Sequence, residues 1–231
     1  MLSGAGDPIR SRKAMNALDE RLLRRSDALI QLLDPPFDKS NLNPGYIRGY
    51  TPGVRENGGQ YTHGAVWAAM AFAELGDVKR AWELLTMINP INHTNSAEKN
   101  AVYKAEPYVI AADVYASTPH IGRGGWSWYT GSAGWMYRLV VESLLGLRVK
   151  GDTLSFSPRM PEGWQSFKMH YRYRETVYHV TVSQMRANDD PSSTGVKVTL
   201  DGVDQGDGII SMVDDHCDHL VEIMALTSLS N

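Results

Sequence analysis

Read for apolar and polar positions alone, the chain changes character near Gly151. Ahead of it, apolar side chains recur at helical spacing; beyond it they alternate with polar ones at period two, the pattern of half-buried strands. Asp7-Pro8 predicts a helix start, with Asp7 as cap and Pro8 at the first helical position, and Ala14, Met15, Leu18, Leu22 and Leu23 follow on one face. Arg10, Arg12, Lys13, Arg21, Arg24 and Arg25 fall between them and read as a solvated basic face. Residues 29–33 are a short apolar run, and residues 37–51 a loop rich in Asn, Pro, Gly and Tyr.

Residues 65–75 are apolar almost throughout and predict a helix buried on most sides. Gly76 stops it, Asp77 caps a second helix with Val78, Ala81, Trp82, Leu84, Leu85 and Ile88 inward, and the two make an αα-hairpin. Residues 89–99 read as a polar loop, 107–115 as a helix, and 129–145 as another helix that Gly146 stops. The period-two segments are 152–157, 167–174, 177–182, 196–200, 209–213 and 220–224, with turns at Glu175-Thr176, Asp201-Gly202 and Asp207-Gly208 and a loose stretch at 188–195. They predict a small antiparallel β-sandwich over residues 151–231, following a mainly helical domain over residues 1–150.

At 231 residues the chain is long enough to bury a core in one or two domains. A net charge of -3 without a basic run argues against nucleic acid or an anionic membrane surface as partner. One cysteine, Cys217, excludes an internal disulfide and a thiolate zinc cluster. No apolar run approaches the roughly 20 residues of a membrane helix. The first residues lack the features of a signal peptide, so a cytoplasmic chain without direct membrane contact is expected.

Two stretches concentrate chemistry. Arg55-Glu56-Asn57-Gly58-Gly59-Gln60-Tyr61-Thr62-His63 and Gly122-Arg123-Gly124-Gly125-Trp126-Ser127-Trp128-Tyr129-Thr130-Gly131 each lead directly into a helix, and together they read as the rim of one sugar and phosphate pocket. Thr130-Gly131 either seats an anion at a helix start, where free N–H groups and the helix dipole favour negative charge, or simply caps the helix. His63 either donates to a phosphate oxygen or is a satisfied structural group. Arg55 and Glu56 are suited to sugar hydroxyls beside a Gly-Gly turn, or form an exposed ion pair. Trp126, Trp128, Tyr129 and Tyr61 offer apolar faces to sugar rings, or belong to the core.

Glycoside chemistry asks for a positioned carboxylic acid. Glu56, Glu106 and Asp113 lie near the two stretches, and none sits in an arrangement that marks it as that acid. His93, His120 and His216 lack metal-ligand spacing and no nucleotide fingerprint is present, so neither metal nor organic cofactor is expected. From residues alone the reading stops at a helical carbohydrate- or phosphate-binding domain.

The two stretches, with Tyr46-Ile47-Arg48-Gly49-Tyr50-Thr51-Pro52-Gly53 ahead of the first and Ser132-Ala133-Gly134-Trp135 closing the second, resemble glycoside hydrolase family 94. Pro90-Ile91-Asn92-His93 and Glu106-Pro107-Tyr108-Val109 agree with its cyclic β-1,2-glucan synthase subgroup, in the C-terminal region. The resemblance is strong over residues 3–182 and looser beyond. It implies an (α/α)6 barrel followed by a β-sandwich, residues 1–150 being the last part of the barrel. It also implies inverting transfer of a glucosyl group between a β-glucan or oligosaccharide and inorganic phosphate, with glucose 1-phosphate as product and phosphate as co-substrate.

By the same resemblance His63, Thr130 and Gly131 would hold phosphate, and Arg55 and Glu56 would meet the leaving sugar. Gln60 and Tyr61 follow by proximity, and Trp128 as a platform. The family's catalytic aspartate and a phosphate-binding arginine lie in upstream barrel segments without counterpart here, so no catalytic residue is assigned. The chain is expected to be inactive alone, to need an N-terminal barrel half or self-association, and to derive from a parent that can be anchored in the inner membrane. Two other readings stay open: a non-catalytic carbohydrate-binding protein, and a complete small hydrolase using Glu56 as acid.

Overall fold

The computed structural model describes residues 1–161, 163–186 and 196–227, so the loose stretch expected at 188–195 lies outside the described residues. The chain divides into two compact units, Met1–Val140 and Val141–Asn231. The first carries helices α1 (Pro8–Leu22), α2 (Thr62–Glu74), α3 (Val78–Ile88), α4 (Pro90–Thr94), α5 (Ala97–Tyr103) and α6 (Thr130–Arg138). Between them run short strands β1 (Leu23–Arg24), β2 (Leu29–Ile30), β3 (Gln60–Tyr61) and β4 (Asp113–Val114).

Helix α1 starts as predicted, the Arg10 amide donating to the Asp7 carboxylate at 2.8 Å, but it buries only Met15. Its basic face is not purely solvated. Arg25 pairs with Asp19 at 2.5 Å and with Glu83 at 2.7 Å, and Arg80 joins the same two carboxylates, tying the end of α1 to α3. Helix α2 is buried at Ala65, Val66, Met70 and Phe72 and at the alanines between them, so most of its circumference faces protein. Gly76, at φ +82°, ends it, and the Asp77 side chain accepts from the Arg80 amide at 3.0 Å to open α3.

Two expectations fail in this unit. Residues 89–99 are not a loop: Asn89 caps α4, whose first residue is Pro90, and Ser96 caps α5. Asn-Pro and Ser are helix-start signals that the surrounding polarity concealed. Residues 107–115 are not a helix: their apolar part is extended, with β4 antiparallel to β3 in the register Tyr61 opposite Asp113. Ala111 to Val114 are buried consecutively because the segment has a neighbour on each side. The Thr62 amide donates to the Ala112 carbonyl at 2.9 Å on one side, and the Gly125 amide to the Asp113 carbonyl at 2.8 Å on the other. A short apolar run buried all round looks the same for helix and strand, and neighbours decide. Helix α6 passes into a π-helical turn at Leu139–Leu144, and Gly146, at φ +79°, stops it as expected.

The second unit is a two-sheet sandwich. One sheet has the order β11–β6–β5 and the other β10–β9–β12–β8–β7, where β5 is Leu147–Lys150, β6 Thr153–Phe156, β7 Ser166–Tyr173, β8 Thr176–Arg186, β9 Val196–Leu200, β10 Val203–Asp204, β11 Ile209–Ser211 and β12 Asp218–Thr227. Leu154, Phe156 and Ile210 from the first sheet meet Tyr178, Val180, Val182, Val221 and Ile223 from the second in one core. Asp201 and Gly202, at φ +48° and +81°, make the β9–β10 hairpin with the backbone hand that suits a two-residue turn. The expectation of a purely antiparallel sheet is corrected: β12 lies parallel to β8 in the register Asp218 opposite Val177 through Thr227 opposite Arg186. Alternation fixes which side chains face inward but is blind to the direction of the neighbouring strand.

Candidate functional site

The two chemistry-bearing stretches are brought together by the strand that the sequence reading missed. β4 lies between them, pairing with β3 on one edge and with residues 124–126 on the other, where the Ala112 amide donates to the Trp126 carbonyl at 2.6 Å. The first stretch is held as a tight loop. Asn57, 1% exposed, accepts from the Phe37 amide at 2.7 Å and donates to the Tyr50 carbonyl at 2.9 Å. Gln60, also 1% exposed, turns inward, its carbonyl oxygen accepting from the Ile30 amide at 2.9 Å.

Arg55 sits at φ +49°, a left-handed backbone unusual for a long side chain. Its guanidinium lies 4.2 Å over the Trp126 ring and 5.3 Å from the Tyr50 ring, and Nε is 3.5 Å from the Glu56 carboxylate. The two charged side chains are only 15% and 16% exposed, so the exposed ion-pair reading does not hold. Burial opposes the Arg55 charge, while Tyr50, Glu56 and Asp113 raise its pKa above the ordinary guanidinium value.

His63, in the first turn of α2, stacks on Tyr61 with centroids 5.5 Å apart and meets the edge of Trp67 at 6.3 Å. Trp67 in turn makes an edge contact with Trp135 at 5.4 Å, which packs α2 against α6. A Cβ at Gly131 would lie 2.6 Å from His63 Nε2, so only glycine there lets the imidazole reach the start of α6. Thr130 is the first helical residue and not the cap; the cap position is Tyr129, which makes no side-chain cap hydrogen bond. The start of α6 therefore lies beside an imidazole nitrogen, and its cap position supplies no side-chain hydrogen bond to the opening N–H groups.

Among the described residues, the buried side-chain polar atoms without a hydrogen-bond partner are Thr62 Oγ1, His63 Nδ1, Asp113 Oδ2, and the pair Arg55 Nε and Glu56 Oε2, which face each other at 3.5 Å as an ion pair. All five lie on the loop ahead of α2, in its first turn, or on the strand facing that loop. Buried polar groups are usually paired, and a cluster of exceptions marks a site with bonding capacity to spare. Asp113 is 1% exposed, and burial raises its carboxyl above the ordinary value, against the Trp126 amide, the Arg55 charge and the Arg55 amide and with the help of Glu56. A lone carboxylate in the run Ala111-Ala112-Asp113-Val114 was the signal that could have identified it.

Trp128 stands apart from this group. It is 69% exposed at φ +65°, its indole N–H donates to Glu106 at 3.1 Å, and its ring meets the edge of Tyr108. Trp126, under Arg55 and 5.1 Å from the Tyr129 ring, is the aromatic side chain that joins the site. Among the described residues no group of three or more His, Cys, Asp or Glu is placed to hold a metal ion, and no helix is long and apolar enough to cross a membrane.

Residues 1–146 match the family described as the glycosyl hydrolase 94 superfamily, catalytic domain, and the chain belongs to that family. Residues 147–202 match the glycosyl hydrolase family 65 C-terminal domain. The chain is 44% identical over 190 residues to the cyclic beta-(1,2)-glucan synthase NdvB of Rhizobium meliloti (strain 1021), covering 82% of this chain and 7% of that protein. It is 33% identical over 204 residues to the N,N'-diacetylchitobiose phosphorylase of Vibrio proteolyticus, covering 87% of this chain and 24% of that one. With the solabiose phosphorylase of Paenibacillus borealis it shares 28% over 225 residues, 96% of this chain and 28% of the relative. The chain thus spans between 7% and 28% of the length of these relatives.

Proposed function

We propose that the chain is the C-terminal part of an (α/α)6 catalytic barrel with its following β-sandwich, from an enzyme that transfers a glucosyl group between a β-glucan and inorganic phosphate with inversion. Glucose 1-phosphate is the product, and phosphate is co-substrate in place of water. The observation that carries this reading is His63 Nε2 set against Gly131 at the start of α6, whose cap position makes no side-chain cap hydrogen bond. An imidazole and helix-start N–H groups suit a phosphate that must be held for in-line attack, since both donate and the dipole favours its charge. Thr130 adds a hydroxyl at the same end.

Arg55, Glu56 and Tyr61 form the sugar end, with Trp126 beneath Arg55, Trp128 as an outlying platform and Gln60 acting through its hold on β2. The reading of a cyclic β-1,2-glucan as the substrate rests on the relative with that name. The general-acid aspartate is supplied from outside these residues, so that the chain alone binds but does not turn over and works with an N-terminal barrel half or by self-association. Its place of work in this reading is the cytoplasm, on a parent that can be membrane-anchored.

The test is release of glucose 1-phosphate from β-1,2-gluco-oligosaccharides by the purified chain, with and without phosphate, alone and with the preceding barrel segment of a relative. Phosphate-dependent release only with the added segment is the expected result. Release by the chain alone overturns the external acid, and saccharide binding indifferent to phosphate in every case favours the carbohydrate-binding protein instead.

A further inference from the structure

His63 lacks the device that usually aims an imidazole. A histidine that holds a ligand through one ring nitrogen is commonly oriented by a hydrogen bond at the other, but Nδ1 here is buried and makes none. The direction of the ring is therefore left to what packs on it. Tyr61 lies close to parallel, with centroids 5.5 Å apart and planes at 24°, and Trp67 stands across it, at 6.3 Å and 75°.

Trp67 follows His63 by one turn on α2, and Trp135 follows Gly131 by one turn on α6, so each tryptophan shares a helix face with the residue it follows. The two indoles cross at 89° with centroids 5.4 Å apart, and the Arg138 guanidinium lies 4.9 Å over the Trp135 ring. This clasp joins the helices one turn away from the place where His63 Nε2 approaches Gly131. Trp67 is 44% exposed on a helix whose other large apolar side chains, Val66, Met70 and Phe72, are buried. We propose that Trp67 is a positioning residue: braced by Trp135, it fixes the His63 ring with Nε2 turned to the start of α6. This deepens the reading of His63 and Gly131 as the phosphate end of the site and rests on it. A ring free to swing would present its nitrogen to phosphate only part of the time, and small misplacements of such a group are costly. Arg55 and Glu56 are held by Tyr50, Trp126 and each other instead, so the sugar end should not respond.

The test is Trp67→Leu and Trp67→Phe in the 231-residue chain, with inorganic phosphate as the probe and its binding followed by phosphorus NMR. Trp67→Leu should weaken phosphate binding about tenfold and leave affinity for a short β-1,2-linked gluco-oligosaccharide unchanged. Trp67→Phe, which keeps a ring edge against the imidazole, should restore most of the phosphate affinity. In a His63→Ala chain the change Trp67→Leu should cost nothing further, because no ring is left to aim. Undiminished phosphate binding by Trp67→Leu overturns the proposal. So does the same loss with and without His63, or an equal loss of both ligands with a lowered thermal midpoint, the outcomes for a merely structural group. If the unaltered chain binds no phosphate, the phosphate-end reading falls and this proposal falls with it.

Discussion

The loop ahead of α2 and the edge of the sandwich around His219 both gather imidazoles, carboxylates and hydroxyls, and they treat them in opposite ways. In the sandwich the groups close on one another: His219 contacts Asp201 at 2.7 Å and Asp215 at 3.3 Å and stacks on Tyr178, while the fully buried Thr176 hydroxyl accepts from the amides of Asp215 and His216 at 3.0 Å each. In the loop, buried polar atoms on Thr62, His63 and Asp113 make no hydrogen bond, and Arg55 Nε and Glu56 Oε2 meet only as an ion pair at 3.5 Å. Polar groups that serve a fold satisfy themselves, because each unmade bond costs about 1–3 kcal/mol. In the proposed reading, groups kept open against that cost await a ligand.

The most severe way to break this contrast is His63→Ala. In an assembly active on β-1,2-gluco-oligosaccharides, phosphate-dependent release of glucose 1-phosphate should fall about a hundredfold or more, while the midpoint of thermal unfolding barely moves. A large loss of stability instead would place His63 with the self-satisfied groups. Gly131→Ala sharpens the point, since residue 131 is exposed but its new methyl would press on His63 Nε2. Phosphate affinity measured by calorimetry should drop about tenfold, with saccharide affinity kept.

The smallest expected effect belongs to the sandwich. The hydrogen bond to Asp201 raises the His219 pKa above 6.5, against a smaller opposing effect of burial. A folded value above the unfolded one gives stability that is fully present below the unfolded pKa and is lost as pH rises through the folded one. The pair is partly exposed to solvent, so the unfolding midpoint should decline only about 2 °C across that interval, and His219→Gln should flatten the decline. His219→Gln should also leave phosphate and saccharide binding alone, as expected of a group that serves only the fold.

How much of this was legible in the chain varies element by element. Asp7-Pro8, Gly76-Asp77 and Gly146 announced their helix ends because caps and stops act through the local backbone. The Asn89-Pro90 and Ser96 starts obeyed the same chemistry but were hidden in a polar stretch. His63 and Gly131 could be singled out as chemistry, yet their proximity could not be read, because 68 positions separate them. Gln60 shows the reverse: a polar residue in a chemistry-rich string, spent on holding the Ile30 amide.

The sequence by itself determined the change from helices to strands, the turns at Asp201-Gly202 and Asp207-Gly208 and the family, since each depends on local periodicity or on matching strings. Tertiary structure alone decided that residues 113–114 are a strand, that β12 runs parallel to β8, and that the buried polar atoms without a hydrogen bond gather on Arg55, Glu56, Thr62, His63 and Asp113. The physical reason is the same in all three cases. An apolar run, a period-two strand and a charged side chain each have several local solutions of similar free energy, and the segment that packs beside them selects one.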